Sequence, residues 1–203
     1  MNLDDLKIYL PKFLSAESER ELFEGLKNFP DNIDSRFYTS FLLQNDIIYQ
    51  GDGIKNMLVV NLPDEKIQTS NCMVFSNTCD IDIENLRFFP SQIVYAPIFN
   101  LKKYRKMLID SGTKTIEQVD AHINAIKEQK ITQIFYLPKI NEKIDESIVF
   151  FDRVLNIPNK VIDRKDLSEK KLFSLSNLGF YVFLLKLSIH FTRIRENIDR
   201  KGI

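Results

Sequence analysis

The sequence predicts an α+β protein in which a small antiparallel β-barrel or sandwich is flanked by N-terminal, middle and long C-terminal helices. Three observations carry the prediction. Residues 41–100 hold short apolar runs divided by Gly, Pro and Asp turns, which read as strands. Segments on either side have helical spacing instead. And 203 residues with 44% hydrophobic content suffice for one core. No internal repeat or low-complexity stretch divides the chain, so residues 1–203 are taken as one domain.

Residues 1–30 form a helical arm. Leu6, Leu10, Phe13 and Leu14 make one apolar stripe, and Leu22, Phe23 and Leu26 another. Pro11 and Ser15 divide them, with Ser15 to Ser18 offering cap oxygens ahead of a Glu-rich first turn. Barrel strands are expected across 41–100 and 131–158. Asp46 to Gly53 reads as a short strand entering a Gly turn, Met57 to Leu62 as a strand, and Pro63 to Lys66 as a turn. Asn71 to Phe75 reads as a buried strand, and Gln92 to Ile98 as another in which Pro97 marks an edge or a bulge. Residues 101–130 are a helical insertion broken at Asp110-Ser-Gly-Thr113, where Thr113 or Thr115 caps a second helix bearing Ile116, Val119, Ile123 and Ile126. Gln133 to Leu137 and Ser147 to Leu155 complete the sheet.

A closing helix is expected over 166–200, starting at Asp166 or Ser168. It is apolar almost all round from Leu178 to Phe191 and amphipathic afterwards, at Ile194 and Ile198. A helix apolar on every side must be covered on every side, which predicts packing on the sheet and the N-terminal arm, and a homo-oligomer or protein-partner interface. Fourteen residues interrupted by Lys186 and His190 are too few to span a bilayer, which needs about twenty. No membrane association is predicted.

Charge names no partner, because 28 Lys and Arg balance 28 Asp and Glu. The most basic run, Leu101-Lys-Lys-Tyr-Arg-Lys106, makes Lys102, Lys103, Tyr104 and Arg105 the candidates for nucleic-acid contact; the alternative is a solvated helix face. Cys72 and Cys79 lie seven apart. On one extended segment they point to opposite faces roughly 20 Å from each other, too far for a disulfide. With no secretory signal in Met-Asn-Leu-Asp-Asp-Leu, reduced thiols in a cytoplasmic protein are expected.

The densest cluster of reactive side chains is Met73-Val-Phe-Ser-Asn-Thr-Cys-Asp-Ile-Asp82. Alternation along a strand sends Ser76, Thr78 and Asp80 to one face, and Asn77 and Cys79 to the other, with Cys79 inward. Ser76, Asn77, Thr78, Cys79, Asp80 and the following Arg87 are therefore the candidate binding residues. The plainer alternative is a strand end whose polar groups bond nearby backbone. A nucleophilic Cys79 needs a base, and the only histidines, His122 and His190, lie on distant helices. Asp80-Ile-Asp-Ile-Glu84 places three carboxylates at period two, but a calcium loop also needs Gly and Glu where Asn85 and Ser91 stand. No metal or cofactor is implied, and no phosphate loop, G-x-S-x-G or H-E-x-x-H occurs.

The order of elements resembles the PemK/MazF-like small barrel, an SH3-like fold. Asn45-Asp-Ile-Ile48 looks like that family's "G-D-I-V" strand, Asn71-Cys-Met-Val-Phe-Ser-Asn77 like its "R-P-x-V-V-L-S", and Gln92-Ile-Val-Tyr-Ala-Pro-Ile98 like its "V-x-V-A-P-I-T". Val154-Leu-Asn-Ile-Pro158 is the counterpart of its last strand. The chain also resembles bacterial and phage proteins with an "S-x-T-C-D-I" strand end. In toxin members the resemblance implies RNA cleavage by the Arg of "R-P" and the Ser or Thr ending "A-P-I-T". Here Ser70-Asn71 and Phe99 occupy those places, which removes the charge stabiliser and the proton-transfer group. The expectation is a small antiparallel SH3-like β-barrel acting as a bacterial or phage interaction module. A toxin-type endoribonuclease using Ser76, Thr78 and Arg87 is one alternative, and a small-ligand or nucleotide pocket at Cys79 the other.

Overall fold

The computed structural model describes residues 15–140 and 143–192. The predicted stripes at Leu6 to Leu14 and at Ile194 and Ile198 lie outside these residues. Helix α1 (Ala16–Lys27) starts where the Ser15 Oγ accepts the Ser18 N–H at 3.1 Å, satisfying one of the free donors of the first turn. After it comes strand β1 (Tyr38–Thr39), then β2 (Gly53–Asn61) and β3 (Asp64–Val74), which form a long hairpin. A single helical turn, α2 (Thr78–Ile81), and a loop lead to β4 (Gln92–Asn100). Helices α3 (Leu101–Asp110) and α4 (Ile116–Lys127) follow, the second opened by a reciprocal capping box between Thr115 and Gln118. Strands β5 (Ile134–Leu137), β6 (Ser147–Phe150) and β7 (Leu155–Pro158) precede a short helix α5 (Leu167–Lys170), strand β8 (Lys171–Leu175) and helix α6 (Asn177–Thr192).

The antiparallel sheet runs β1-β8-β2-β3-β4-β6-β5, with β7 also paired to β4. It is open: among the described residues no pairing joins β1 to β5, where the sequence predicts closure into a barrel. The cause lies in β4. Its first half, Gln92–Tyr95, pairs with β7, and its last residues, Ile98–Asn100, pair with β6. The turn Phe151–Val154 splits what the sequence presents as one strand from Ser147 to Leu155. Pro97 sits in the gap between the two registers, where a missing N–H leaves no ladder bond unmade.

Side chains alternate between two covered faces. Met73, Ala96, Phe135, Val149 and Phe173 meet Leu178, Tyr181, Val182 and Phe183 of α6, with Leu22 of α1 at the edge. On the other face Cys72, Val74, Ile93 and Tyr95 close over Ile48, Ile54, Ile81 and Leu167. Further along that face Ile134, Tyr136, Ile148 and Phe150 pack on Val119, Ile123 and Ile126 of α4. The apolar α6 is thus covered by the protein's own sheet and α1 over its first turns, and exposes Ile189 and Phe191 near its end. None of the described helices is long and apolar enough to cross a membrane.

Two predicted elements are corrected. Asp46 to Tyr49 is not a strand, because Asp52 draws the chain into a turn: its Oδ2 accepts the Tyr49 N–H at 2.9 Å and its N–H reaches the Tyr49 carbonyl at 3.0 Å. And the closing helix does not begin at Asp166 or Ser168. Lys171 to Leu175 is wholly buried as β8, and only then does α6 start, with the Ser176 Oγ accepting the Gly179 N–H.

Within α6, Lys186 reaches inward and shares its three N–H donors among four oxygens within hydrogen-bond distance: Gln129 O (2.9 Å) and Oε1 (2.8 Å), Ile131 O (2.9 Å) and Ile134 O (2.5 Å). It ties α6 to the connection between α4 and β5, where Gln129 takes a left-handed φ of 58°. Burial pushes the Lys186 ammonium down to about 7, against about 10.4 in an unfolded chain. Between those values the unfolded chain binds more protons, so this residue's contribution to stability is present at high pH and is lost as pH falls towards 7. Wild type should gain roughly 2 kcal/mol on Lys186→Met between pH 7 and pH 9 in paired denaturant titrations. A pH-independent difference would contradict this.

Candidate functional site

The polar cluster at the end of β3 is a junction. Phe75 and Ser76 both donate their N–H to the Val94 carbonyl, and the Ser76 Oγ accepts the Val94 N–H at 2.8 Å while donating to the Gln92 carbonyl at 3.3 Å. Asn77 then caps α2 by accepting the Cys79 N–H at 2.9 Å. The Thr78 Oγ1 accepts the Gln50 N–H at 3.0 Å, and the Gln50 side chain donates to the Phe75 carbonyl at 2.8 Å. These bonds join the strand end to the Tyr49–Asp52 turn.

The helical turn overturns the predicted alternation. Strand β3 ends at Val74 and the helical turn starts at Thr78, so Ser76, Thr78 and Asp80 do not share a strand face. Cys79 is exposed and Ile81 is the residue that points inward, fully buried. Asp80 pairs with Arg87 across the surface, and Cys72, buried on β3, is a free thiol that burial pushes up to about 12. Neither histidine is committed to Cys79: the His122 Nε2 meets the Tyr104 hydroxyl at 3.2 Å, and His190 packs on Phe151 and Phe191.

Beyond Ile81 the chain makes a surface loop to Ser91 with an unusual composition. Ile83 is 64% exposed, Leu86 93%, Phe88 96% and Phe89 77%, the two rings 5.2 Å apart edge to face. Exposed apolar residues in such density signify more than isolated ones do. The loop's own bonds hold its fold: Asp82 Oδ1 accepts the Glu84 N–H, and Asn85 Nδ2 donates to the Cys79 carbonyl at 2.7 Å. Its two ends are clamped by buried Asn159, which donates through Nδ2 to Ile81 O and Ser91 Oγ, both at 2.9 Å. Arg164 adds a bond to Ile81 O at 2.9 Å and another to Asn159 Oδ1. Desolvation lowers the Arg164 pKa, opposed by the nearby Asp82 charge. A hydrogen-bonded base thus carries a surface loop whose apolar side chains stay exposed.

Compared with protein-family models and with curated proteins, the chain matches none. The positions that depart from the PemK/MazF motifs, Ser70 and Phe99, line a separate groove of about 400 Å³ between the β2–β3 hairpin and the Asp152–Leu155 turn. Ser76, Thr78 and Arg87 are not in that groove. The basic run on α3 is only partly free: Lys102 and Lys103 are exposed, but Tyr104 packs on Phe150, and Arg105 pairs with Asp120 at 2.6 Å.

Of the residues singled out in the sequence, Asn77, Thr78, Cys79, Asp80 and Arg87 all fall at or beside the loop's base. Gln50, Asn159 and Arg164, which build that base, carry no sequence signal, since each acts through contacts distant in the chain. The loop itself has one: its apolar residues Ile83, Leu86, Phe88 and Phe89 recur with a period of neither two nor 3.6, which fits no buried element.

Proposed function

We propose that the protein is a binding module that presents the loop between β3 and β4 to another protein. The observation that carries this is the exposure of Ile83, Leu86, Phe88 and Phe89 on a clamped base. Each such side chain contributes about 1.5–3 kcal/mol when a partner buries it, and aromatic residues dominate interface energetics. Asp80, Asp82 and Glu84 around the apolar tip outnumber Arg87, so the partner of this chemistry has an apolar cleft with a basic rim. The same carboxylates disfavour an anionic lipid surface.

On this reading the run of paired strands β8-β2-β3-β4-β7 is the SH3-like element, and the module works in the cytoplasm with Cys72 and Cys79 as thiols. The endoribonuclease alternative is less well supported, because the Ser76 and Thr78 hydroxyls already accept backbone N–H groups and Arg87 is paired. A pocket at Cys79 is likewise less well supported, that residue standing exposed on the helical turn α2.

The test compares wild type with Phe88→Ser/Phe89→Ser. A protein retained from a cell lysate by wild type alone is purified, and its affinity for both forms is measured by calorimetry. Affinity should fall by about 100-fold or more in the variant and weaken with salt. Equal affinity for both forms, or loop-dependent flotation with anionic vesicles in place of protein binding, would refute the proposal.

A further inference from the structure

The groove lined by Ser70 and Phe99 has features the loop does not explain. Because β4 leaves β3 at Pro97, residues 64–71 of β3 pair with β2 alone, and the hairpin forms one wall of the groove. The other wall is Phe99 and the turn carrying Arg153. The Arg153 guanidinium lies 4.4 Å from the Phe150 ring centroid and 5.1 Å from that of Phe99. Contact with two rings fixes a long side chain that otherwise costs entropy to order.

Ring contact supplies no oxygen acceptor. The guanidinium keeps five donors in a planar fork matched to carboxylate or phosphate oxygens. Among the described residues none accepts a hydrogen bond from the Arg153 side chain, and no carboxylate lies within ion-pair reach of it, although Asp152 is its neighbour in sequence. Val59, Pro97 and Leu155 give the groove an apolar lining, and Asn61, Gln68, Thr69 and Ser70 of the hairpin give it a polar one. Its volume, about 400 Å³, suits a small molecule.

We propose that this groove binds a small ligand bearing one carboxylate or phosphate on a compact aromatic body. The anion takes the N–H donors of Arg153, and the ring lies against Val59, Pro97 and Leu155. Asp152 lines the same groove and sets one negative charge beside Arg153, so a polyanion such as nucleic acid fits it poorly. The site is separate from the β3–β4 loop, and ligand binding here is independent of partner binding there.

Benzoate, phenyl phosphate and inorganic phosphate serve as probes, followed by amide and methyl NMR shifts of the full chain. At least one of the two ring-bearing probes should shift Thr69, Ser70, Phe99 and Val154 saturably with Kd in about the millimolar range or below, and bind more tightly than inorganic phosphate. Arg153→Gln should weaken it about tenfold or more, and Arg153→Lys, which keeps charge but loses the fork, by an intermediate factor. Arg153 is exposed, so both variants are expected to fold, which their NMR spectra check directly. No saturable shift from either ring-bearing probe up to about 10 mM, inorganic phosphate binding as tightly as they do, or binding unchanged in Arg153→Gln, would overturn the proposal.

Discussion

Lys171→Met lowers the unfolding free energy by about 3–5 kcal/mol, the loss that follows when a buried charge is left without its partner. The Lys171 and Asp52 side chains are both 0% exposed and lie 3.3 Å apart. Lys171 also donates to the Leu42 carbonyl at 3.0 Å and sits 5.0 Å from the centroid of the Tyr49 ring. Burial already pushes the Asp52 carboxyl up, opposed by the Lys171 charge. Without that charge the carboxyl must take a proton to stay inside. A carboxyl raised in the folded state stabilises on the acid side and loses that contribution as pH rises through its folded value. The variant's deficit should therefore be smaller at pH 5 than at pH 8 in urea titrations. Adding Asp52→Asn should recover a large part of it. A deficit below about 1 kcal/mol at pH 8 would mean that the pair is hydrated, as surface pairs are.

The pair also bears on the proposed function. Asp52 shapes the Tyr49–Asp52 turn, the turn holds Thr78 through Gln50, and Thr78 opens the helical turn from which the display loop springs. Faster amide exchange at Thr78 to Ile81 is expected to accompany the lost stability.

Gly179→Ala should cost about 3 kcal/mol, at the upper end of what overpacking does. In an ordinary helix the same change gains up to about 1 kcal/mol, so even the sign is diagnostic. A Cβ at this position would meet the Phe37 carbonyl oxygen far inside 3.0 Å, the limit for real Cβ contacts. The neighbour is backbone, and that oxygen accepts the Ser176 N–H at 2.8 Å, so it cannot swing aside like a side chain. Gly179 is what lets α6 lie against the Ser35–Phe37 turn. A stabilised alanine variant in thermal melts would show that α6 has freedom to shift.

Much of the fold was legible where local chemistry decides it. Ser15 and Thr115 cap the helices they were expected to cap, and the apolar α6 is buried by the sheet and α1 as its pattern demands. Where distant contacts decide, the sequence misleads. Strand β8 begins with Lys171, and a lysine beside Glu169 and Lys170 looks solvated until Asp52 arrives from far along the chain. Closure into a barrel depends on which strands meet β4, and the Phe151–Val154 turn that splits β6 from β7 has no Gly or Pro to announce it. At the candidate site, the polar residues after Phe75 announce the end of the strand, but a strand rule applied to a capped helical turn put Cys79 inside and missed Ile81.

The role of the display loop is decided by hydroxyl-radical footprinting of wild type with the purified protein that it captures. Protection should concentrate on Ile83, Leu86, Phe88 and Phe89 and leave the Arg153 groove unchanged. A footprint elsewhere on the surface, with those four side chains as reactive in the complex as in the free protein, would contradict the proposed binding function of the loop.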